Sequence, residues 1–309
     1  MRILLTGTTG FLGSHTLKHL LQRGYEIAVL IRPHSDTWRI EELLPHTLQI
    51  TGDANHPESA AESICHFKPE AVAHLAWEGV MNSARNNPDQ IYTNLPGSLK
   101  LLKIAVECGC NTWVGMGSQA EYGPAEQIIT EQTPALPTTL YGASKLSTGL
   151  LTYSLCNHYL ARFVWLRLFS SYGPMDQPQW MLPYLILTLL RGEKPALTEG
   201  KQLWDFIYIE DAAEAVCQAI ANPDAKGVFN LGSGEARPLR ETIEIVRNAI
   251  NPALPLGFGE TPYRPDQVMH LQADITRLKA IGWSPQTSLE AGLARTVEWY
   301  RDNKHRYIR

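Results

Sequence analysis

The chain has 309 residues, a length that allows two domains or one large domain with a sizeable buried core. Its 27 Lys and Arg residues stand against 31 Asp and Glu residues, which gives a formal net charge of −4, with no block of like charge. This balance excludes a basic nucleic-acid-binding surface as the main function. Hydrophobic residues make up 44% and charged residues 19%, so a mainly disordered chain is excluded as well.

The five cysteines and ten histidines show no spacing typical of a metal site or of a disulfide scaffold. The cysteines form no pair of CxxC elements, and the histidines form neither HxH nor HExxH. Cys108 and Cys110, near a predicted helix end, are interpreted as plain buried or half-buried thiols. No metal site is predicted.

The apolar segments are too short to anchor the chain in a membrane. The run after Arg2 is shorter than a signal-peptide core. The longest later stretch, residues 180–190, contains Pro183 and falls short of the roughly 20 residues of a membrane span. We therefore expect a cytoplasmic protein with no membrane partner.

Short apolar runs alternate with amphipathic helical patterns through the first half of the chain. The runs are typical of buried parallel strands and comprise residues 3–5, 27–31, 71–75, 112–116 and 163–168. The helical patterns between them include residues 11–23, 94–107 and 141–160. This alternation predicts an α/β fold, namely a Rossmann-like doubly wound parallel sheet with helices on both faces.

Beyond residue 169 the alternation ends, and prolines cluster with aromatic residues between them. We predict a dinucleotide-binding Rossmann domain over residues 1–169 and a smaller, irregular C-terminal substrate domain over residues 170–309. Residues 203–209 resemble one more strand, followed by a helix from Asp211. Residues 203–220 are therefore expected to return to the Rossmann domain.

Three glycines lie where the first strand turns into the first helix. Gly7, Gly10 and Gly13 fall within the segment GTTGFLG at residues 7–13. Such a turn uses unusual backbone angles and approaches a pyrophosphate closely, at the positive N-terminus of the helix. The alternative is a tight strand–helix turn with no ligand. The strand and helix context favours a dinucleotide site.

The end of the second strand bears on the choice between NAD and NADP. NAD-preferring sites carry an acidic residue there, about 20 residues beyond the glycines. Here Val29-Leu30-Ile31-Arg32 contains no carboxylate. An arginine can pair with a 2′-phosphate and Ile31 cannot repel one, so NADP(H) is the preferred cofactor, with NAD(H) as the alternative. The other interpretation of Arg32 is a solvated cation at a strand end.

Tyr141 and Lys145 place a phenol and an ammonium four residues apart on one helix face. A cation beside the phenol is expected to lower its pKa, so that it exchanges a proton with a substrate oxygen near neutral pH. Tyr300 and Lys304 share this spacing and are interpreted as part of a solvated terminal helix. The first pair differs because a strand ending at Ser118 precedes it, and ligands of this fold bind at the carboxyl ends of strands.

These motifs resemble those of the extended short-chain dehydrogenases/reductases, in the group of nucleotide-sugar epimerases, dehydratases and reductases, over nearly the whole chain. The motifs that carry the resemblance are GTTGFLG at 7–13, Gly52-Asp53, His74-Leu75-Ala76, Asn94, GSQAEYG at 117–123, YGASK at 141–145, residues 167–174, Asp205-Phe206-Ile207-Tyr208 with Asp211, residues 230–234, Gly282-Trp283 and Trp299-Tyr300.

The resemblance implies a catalytic trio of Ser118, Tyr141 and Lys145, with Lys145 also bonding the nicotinamide ribose. Arg32, inferred above from the strand end, completes the set of residues predicted to bind the cofactor. The others are Gly7, Thr9, Gly10, Phe11, Leu12, Gly13, Asp53, Leu75, Ala76, Trp77, Asn94, Tyr141, Lys145 and Leu168. The alternatives are that Asp53 caps a turn and that Asn94 only starts or fills a helix.

The resemblance also implies a nucleoside-diphosphate-sugar substrate, which Glu78, Ser118, Gln119, Ser170, Trp204 and Arg264 would contact. Arg264, with Pro265 and Asp266, would grip the diphosphate, or else form a surface salt bridge. Ser170 and Trp204 depart from the family, which usually has Asn and Arg at these two positions. Without that Arg a diphosphate contact is lost, and Trp204 would stack on a base or sugar, or else pack in the core. Glu78 would overhang the sugar, or else lie as an exposed loop carboxylate.

One departure from the family pattern concerns 4,6-dehydration. The dehydratases of the group have Thr-Asp-Glu where this chain has Ser118-Gln119-Ala120, and the two missing carboxyls eliminate water across C5 and C6. Glu121 lies one step too far along and is interpreted as a helix-start or surface carboxylate. Dehydration is therefore disfavoured.

Three hypotheses follow. The first is reduction of a nucleotide-linked 4-keto deoxysugar by NADPH, with Tyr141 as the acid and Ser118 assisting. The second is NAD-dependent 4-epimerisation, and the third is a non-catalytic dinucleotide sensor on the same fold. The resemblance also implies a homodimer, formed through the helices that hold Asn94 and Tyr141.

Overall fold

The computed structural model describes residues 1–264 and 267–307, and its centre is a seven-stranded sheet in which every pair of neighbouring strands is parallel. The order of its strands is β10-β6-β5-β4-β1-β2-β3. These strands are β1 (Arg2–Thr6), β2 (Glu26–Ile31), β3 (Leu48–Thr51), β4 (Ala71–His74), β5 (Thr112–Ser118), β6 (Arg162–Leu168) and β10 (Gly227–Leu231). The predicted doubly wound parallel sheet is confirmed.

Helices cover both faces of this sheet, and two separate hydrophobic clusters lie beneath them. The helices of the chain are α1 (Phe11–Gln22), α2 (Ala61–Phe67), α3 (Leu95–Glu107), α4 (Leu140–His158), α5 (Met181–Leu190), α6 (Ile209–Ala221), α7 (Leu239–Ile250), α8 (Thr276–Ala280) and α9 (Leu289–Asp302). From β1 the sheet grows in one direction through β2 and β3 and then in the opposite direction from β4 onward. This switch in strand order between β1 and β4 opens a crevice at their carboxyl ends.

A smaller, irregular part of the chain lies beside the sheet and has a third hydrophobic cluster, to which α5, α7 and α9 contribute. Its short strands are β7 (Ser170–Tyr172), β8 (Ala196–Leu197), β9 (Leu203–Tyr208), β11 (Ala236–Pro238), β12 (Gly257–Phe258) and β13 (His270–Leu271). β9 pairs with β7, β11 and β13, whereas β12 pairs with β8.

The predicted return of residues 203–220 to the Rossmann domain needs a correction. The strand at its start, β9, belongs to the smaller sheet. The chain returns through α6, which packs on α1, and through β10, which adds to the large sheet beside β6. An apolar strand pattern does not specify which sheet the strand joins, and this explains the error.

The interpretation of Cys108 as a plain thiol is wrong, because the structure joins Cys65 to Cys108 in a disulfide. α2 packs beside α3 and brings the two Cα atoms to 4.8 Å, although 43 residues separate them in the chain. Cys110 is a buried free thiol, as expected. None of the helices in the described residues is long and apolar enough to cross a membrane.

Candidate active site

The glycine turn between β1 and α1 brings the backbone close to the end of β4. Gly7 has φ +75°, and a Cβ at this position would lie 2.6 Å from the backbone nitrogen of Ala76. A Cβ at Gly13 would lie 2.0 Å from the carbonyl oxygen of Gly7. These two close approaches require glycine and fix the floor of the crevice.

The N-terminus of α1 fits the pyrophosphate of a dinucleotide. Gly10 caps the helix without a side-chain hydrogen bond, and the first turn carries no acidic residue. The first N–H groups of α1 therefore have no side-chain acceptor from the cap, which suits an anion. Thr8 Oγ1 in the same turn is buried and has no hydrogen-bond partner among the described residues. A bound phosphate would supply that partner.

The cleft at this point is lined by most of the predicted cofactor residues. Predicted residues along it are Gly7, Thr9, Gly10, Arg32, Asp53, Leu75, Ala76 and Trp77. Ser35 and Glu78 line it as well, and neither was predicted to bind the cofactor. Phe11, Leu12 and Gly13 form the first turn of α1, whereas Leu168 lies at the end of β6, opposite Ser118. Their roles stay predictions.

Glu78 is an exposed loop carboxylate, as one of its two interpretations held, and it lies at the cofactor cleft. Its carboxylate forms an ion pair with Arg32 from the end of β2. The two side chains are 49% and 52% exposed, so the pair stabilises the protein little. An anionic group on the ligand could therefore replace Glu78 as the partner of Arg32.

The structure brings the predicted catalytic trio together. Ser118 ends β5, whereas Tyr141 and Lys145 lie one turn apart at the start of α4, and all three are buried. Lys145 Nζ donates to the carbonyl oxygen of Met116 at 2.7 Å. Ser118 Oγ accepts from the N–H of Ala120 at 3.2 Å, and Ser118 acts on the pKa of the Tyr141 phenol. The hydroxyl, the phenol and the ammonium thus share one site.

The expected lowering of the Tyr141 pKa by Lys145 is not observed. Burial raises the pKa of the phenol, and this effect outweighs the influence of Ser118 and the charge of Arg85, which both lower it. Burial also lowers the pKa of Lys145 to about 7, against the opposing charge of Glu121. Without a ligand, desolvation therefore dominates both groups.

Trp77 contacts both members of the Tyr141–Lys145 pair. Lys145 Nζ lies 3.8 Å from the centroid of the indole, a cation–π contact, and the Tyr141 ring packs against the indole edge. Gln90 fixes the indole, because its Oε1 accepts from Trp77 Nε1 at 2.7 Å. Sequence reasoning missed Gln90, since its partners lie on another segment and no motif marks it.

Asn94 lies outside the cleft lining and holds the loop after β4. Its Oδ1 accepts from the N–H of Glu78 at 2.9 Å, and its Nδ2 donates to the carbonyl oxygen of Glu78 at 3.0 Å. The side chain is 2% exposed. This geometry supports a structural role over direct contact with a cofactor.

Glu121 is a helix-start residue, as one of its two interpretations held, but it is not at the surface. It closes a capping box with Ser118 at the 3-10 turn Gln119–Glu121 and is 0% exposed. Its carboxylate accepts from Trp165 Nε1 at 3.0 Å and from Arg167 Nε at 2.7 Å. No sequence pattern reveals this burial, because both donors come from β6.

Besides Glu78 and Ser118, the predicted substrate residues lie on four segments. Gln119 begins the turn after Ser118. Trp204 Nε1 of β9 donates to Ser170 Oγ of β7 at 2.7 Å, so these two side chains bond each other. Arg264 is exposed, whereas Pro265 and Asp266 lie outside the described residues. Within the described ranges, no group of three or more His, Cys, Asp and Glu side chains could hold a metal ion.

Comparison with known proteins identifies a family. Residues 3–232 match the profile of the NAD dependent epimerase/dehydratase family. Among curated relatives, a dTDP-glucose 4,6-dehydratase of Neisseria meningitidis is 26% identical and covers 98% of this chain and 94% of its own length. A probable UDP-glucuronate 4-epimerase of Rhizobium meliloti is 28% identical, with 99% and 98% covered.

Solved structures of the same kind superpose on almost the whole chain. The UDP-glucose 4-epimerase of Thermotoga maritima, solved with UDP-glucose, is 27% identical with a TM-score of 0.86, and covers 98% of this chain and 100% of its own. The UDP-glucose 4-epimerase of Thermus thermophilus, solved with NAD, is 27% identical with a TM-score of 0.87, with 97% and 99% covered.

Proposed function

The chain belongs to the NAD dependent epimerase/dehydratase family, and on that premise we propose that it transfers hydride at C4 of a nucleotide-linked sugar. It is an enzyme of the extended short-chain dehydrogenase/reductase type, with a nicotinamide dinucleotide as cofactor. The reaction that we favour is reduction of a 4-keto deoxysugar by NADPH. The observation that carries the proposal is the convergence of Ser118, Tyr141 and Lys145. Tyr141 and Lys145 both contact Trp77, which lines the cleft.

In this reaction the chain's own side chains handle the proton. A dinucleotide bound along the cleft would supply the hydride. Tyr141 gives its phenolic proton to the C4 oxygen, and the Ser118 hydroxyl orients that oxygen by a hydrogen bond. Lys145 lies one helical turn from the phenol, where its ammonium can bond a ribose hydroxyl and stabilise the phenolate that forms.

Two features support reduction. Burial raises the pKa of Tyr141, so the phenol holds a proton at neutral pH, as an acid must. At the end of β2 the cleft is lined by Ile31, Arg32 and Ser35, without the carboxylate that bonds a ribose in NAD sites. A guanidinium and a hydroxyl suit a 2′-phosphate.

The structure gives no support to 4,6-dehydration, although some relatives bear that name. Gln119 and Ala120 provide no carboxyl beside Ser118. Glu121 cannot replace one, because it is fully buried and both of its oxygens already accept hydrogen bonds. An acid and a base for removing water are therefore lacking at this turn.

The second candidate is NAD-dependent 4-epimerisation, which the names of the structural relatives favour. An epimerase retains its NAD through the cycle, whereas a reductase must release NADP+. The test is the cofactor content of the purified protein, followed by hydride-transfer assays with NADPH and NADH on UDP-, dTDP-, GDP- and CDP-linked 4-keto sugars. Stoichiometric bound NAD and no net reduction would replace our first candidate by the second.

Replacing Arg32 with alanine is expected to raise the Kd of NADPH by about 10- to 50-fold and that of NADH by less than about threefold. The reason is that Arg32 would pair with the 2′-phosphate, which NADH lacks. Isothermal titration with both coenzymes measures the difference. Arg23→Ala, which removes a guanidinium from the α1–α6 contact, is the control. Equal losses for the two coenzymes would contradict the assignment of Arg32.

We also propose a homodimer formed through α3 and α4. Leu150, Leu151 and Tyr153 on α4 are 60%, 43% and 48% exposed, and Tyr92 just before α3 is 76% exposed. Such a set of apolar side chains on packed neighbouring helices suits a self-complementary interface. Leu150→Glu is expected to convert the dimer to a monomer in light scattering, while Leu136→Glu, on an exposed loop, does not. A monomeric wild-type protein would overturn the proposal.

A further inference from the structure

A carboxylate that the proposed reaction does not use lies directly behind Ser118. Glu121 is 0% exposed, and its Oε1 accepts from the N–H of Ser118 at 2.9 Å. The other donors to its carboxylate are the indole of Trp165 and the guanidinium of Arg167. Both oxygens of this buried anion are thereby satisfied, and its charge is paired.

The end of β5 is shaped around this carboxylate. A Cβ at Gly117 would lie 2.4 Å from Glu121 Oε1 and 2.3 Å from Trp165 Nε1. Any side chain at position 117 would therefore displace the carboxylate or the indole. Gly117 directly precedes Ser118. The absence of a side chain at Gly117 therefore leaves room for the Glu121 carboxylate right beside the backbone of the serine.

Two hydrogen bonds hold Ser118 in place. Glu121 holds the N–H of Ser118, and the N–H of Ala120 donates to Ser118 Oγ. One lone pair of Ser118 Oγ is thereby occupied, and its hydroxyl proton is available to the substrate oxygen that the proposed reaction places between Ser118 and Tyr141. The position of the serine, and with it the position of its hydroxyl, depends on the bond between Glu121 and the main chain.

The charge of Glu121 also reaches the proton-transfer pair. It raises the pKa of both Tyr141 and Lys145, in the second case against the larger effect of burial. The other charged or titratable groups that face this cluster are Arg85 beside Tyr141, His74 on β4 near Lys145, Arg167 on β6, and Tyr122 beneath Arg167. Burial lowers the pKa of His74 to about 3, so this imidazole stays neutral.

We propose that Glu121 is a positioning residue for the reaction, which fixes the main chain of Ser118 so that its hydroxyl meets the substrate oxygen and supplies a buried negative charge beside Tyr141 and Lys145. This inference rests on the proposed function, because Glu121 acts through the serine and the phenol. It touches neither the substrate nor the cofactor.

The test is Glu121→Gln. The carboxylate accepts hydrogen bonds on both oxygens, whereas the amide has one acceptor oxygen, so one of its three donors is left unpaired. We expect kcat to fall about 10- to 100-fold, with KM and the Kd of the cofactor within about threefold. Loss of the negative charge favours phenolate and neutral amine, so both limbs of the pH profile of kcat should move to lower pH by about one unit.

The matched control is Glu131→Gln. Glu131 accepts from the N–H of Asn230 at 2.8 Å and belongs to the same polar region without contacting Ser118. We expect it to leave kcat and the pH profile unchanged. Equal effects of the two variants would overturn the inference, since they would indicate a general loss of packing.

A double-mutant cycle with Ser118→Ala separates positioning from other causes. If Glu121 acts through the serine, E121Q should lower kcat of S118A by less than about threefold. Fully additive losses would overturn the inference.

A second variant applies if E121Q does not fold. E121Q combined with Arg167→Met removes both buried charges, so that the amide oxygen accepts the hydrogen bonds of Ser118 and Trp165. This variant should recover kcat to within about tenfold of wild type, and a loss as large as in S118A would overturn the inference.

A final measurement needs no sugar substrate. The ionisation of Tyr141 can be followed by phenolate absorbance, as the difference between wild type and Tyr141→Phe, in the presence and absence of E121Q. An apparent pKa that falls in E121Q supports the inference, and an unchanged one overturns it. Failure of every sugar to accept hydride would instead overturn the proposed function. The pKa of Tyr141 could still be measured in both proteins, so the two failures are distinguishable.

Discussion

Replacing Tyr141 with phenylalanine is expected to lower kcat by about 10²- to 10⁴-fold, while the Kd of NADPH changes by less than about threefold. The phenol is 7% exposed, and burial raises its pKa, so it carries a proton to donate at neutral pH. Phenylalanine keeps the packing against Trp77 but has no proton to give. Single-turnover reduction followed by NADPH absorbance measures the step directly.

The matched control is Tyr300→Phe. Tyr300 is also buried, its hydroxyl donates to the carbonyl oxygen of Asp176 at 2.8 Å, and Lys304 follows at the same four-residue spacing. This variant is expected to lower the free energy of unfolding by about 1 kcal/mol without changing kcat. Wild-type turnover in Y141F would remove the phenol from the mechanism, and with it the central step of the proposed reaction.

The two Tyr–Lys pairs show what spacing alone can predict. Spacing assigns Tyr300 to a solvated helix, but its ring is fully buried and packs against Trp299 and Tyr307. The Tyr141 pair differs from it by context, namely the strand that ends at Ser118. Because that context is local in the sequence, the proximity of Ser118, Tyr141 and Lys145 could be predicted from it, whereas their catalytic role stays a prediction.

The electrostatics of the site could not be predicted, because they arise from contacts between distant segments. Lys145 was expected to lower the pKa of Tyr141, yet burial raises the pKa of the phenol and lowers that of the amine. Burial depends on how β4, β5 and α4 pack together. Likewise, Glu121 is buried because Trp165 and Arg167, more than 40 residues away, point at it from β6.

The fold shows the same division between local and distant information. The apolar runs and the turn residues that flank them predicted the bounds of β1, β2, β4, β5 and β6 to within two residues at either end. The partner of β9 and the disulfide between Cys65 and Cys108 depend on which elements become neighbours. A single sequence carries little information about such pairs.

Replacing Lys145 with methionine is expected to lower kcat at least about 100-fold, to weaken cofactor binding, and yet to make the cofactor-free protein more stable. Lys145 is 3% exposed, and its ammonium is held only by the carbonyl of Met116 and the face of Trp77 among the contacts described above. Methionine fills the same space without a charge to bury. It cannot, however, bond a ribose or stabilise a phenolate.

The pH dependence of the free energy of unfolding tests whether the buried charge of Lys145 causes this difference in stability. The pKa of Lys145 is about 7 in the folded protein and near 10.5 in the unfolded chain, so the unfolded state binds the additional proton between these values. The free energy of unfolding of the wild type should therefore rise from pH 7 to pH 10.5 through this group, and the variant lacks that rise. Urea unfolding should show K145M more stable by about 1–3 kcal/mol at pH 7, with the difference shrinking toward pH 10.

The control is Lys100→Met, at an exposed ion pair with Glu58, which should show no such trend with pH. A difference between K145M and wild type that stays constant with pH would contradict the assignment of a desolvated amine to the site.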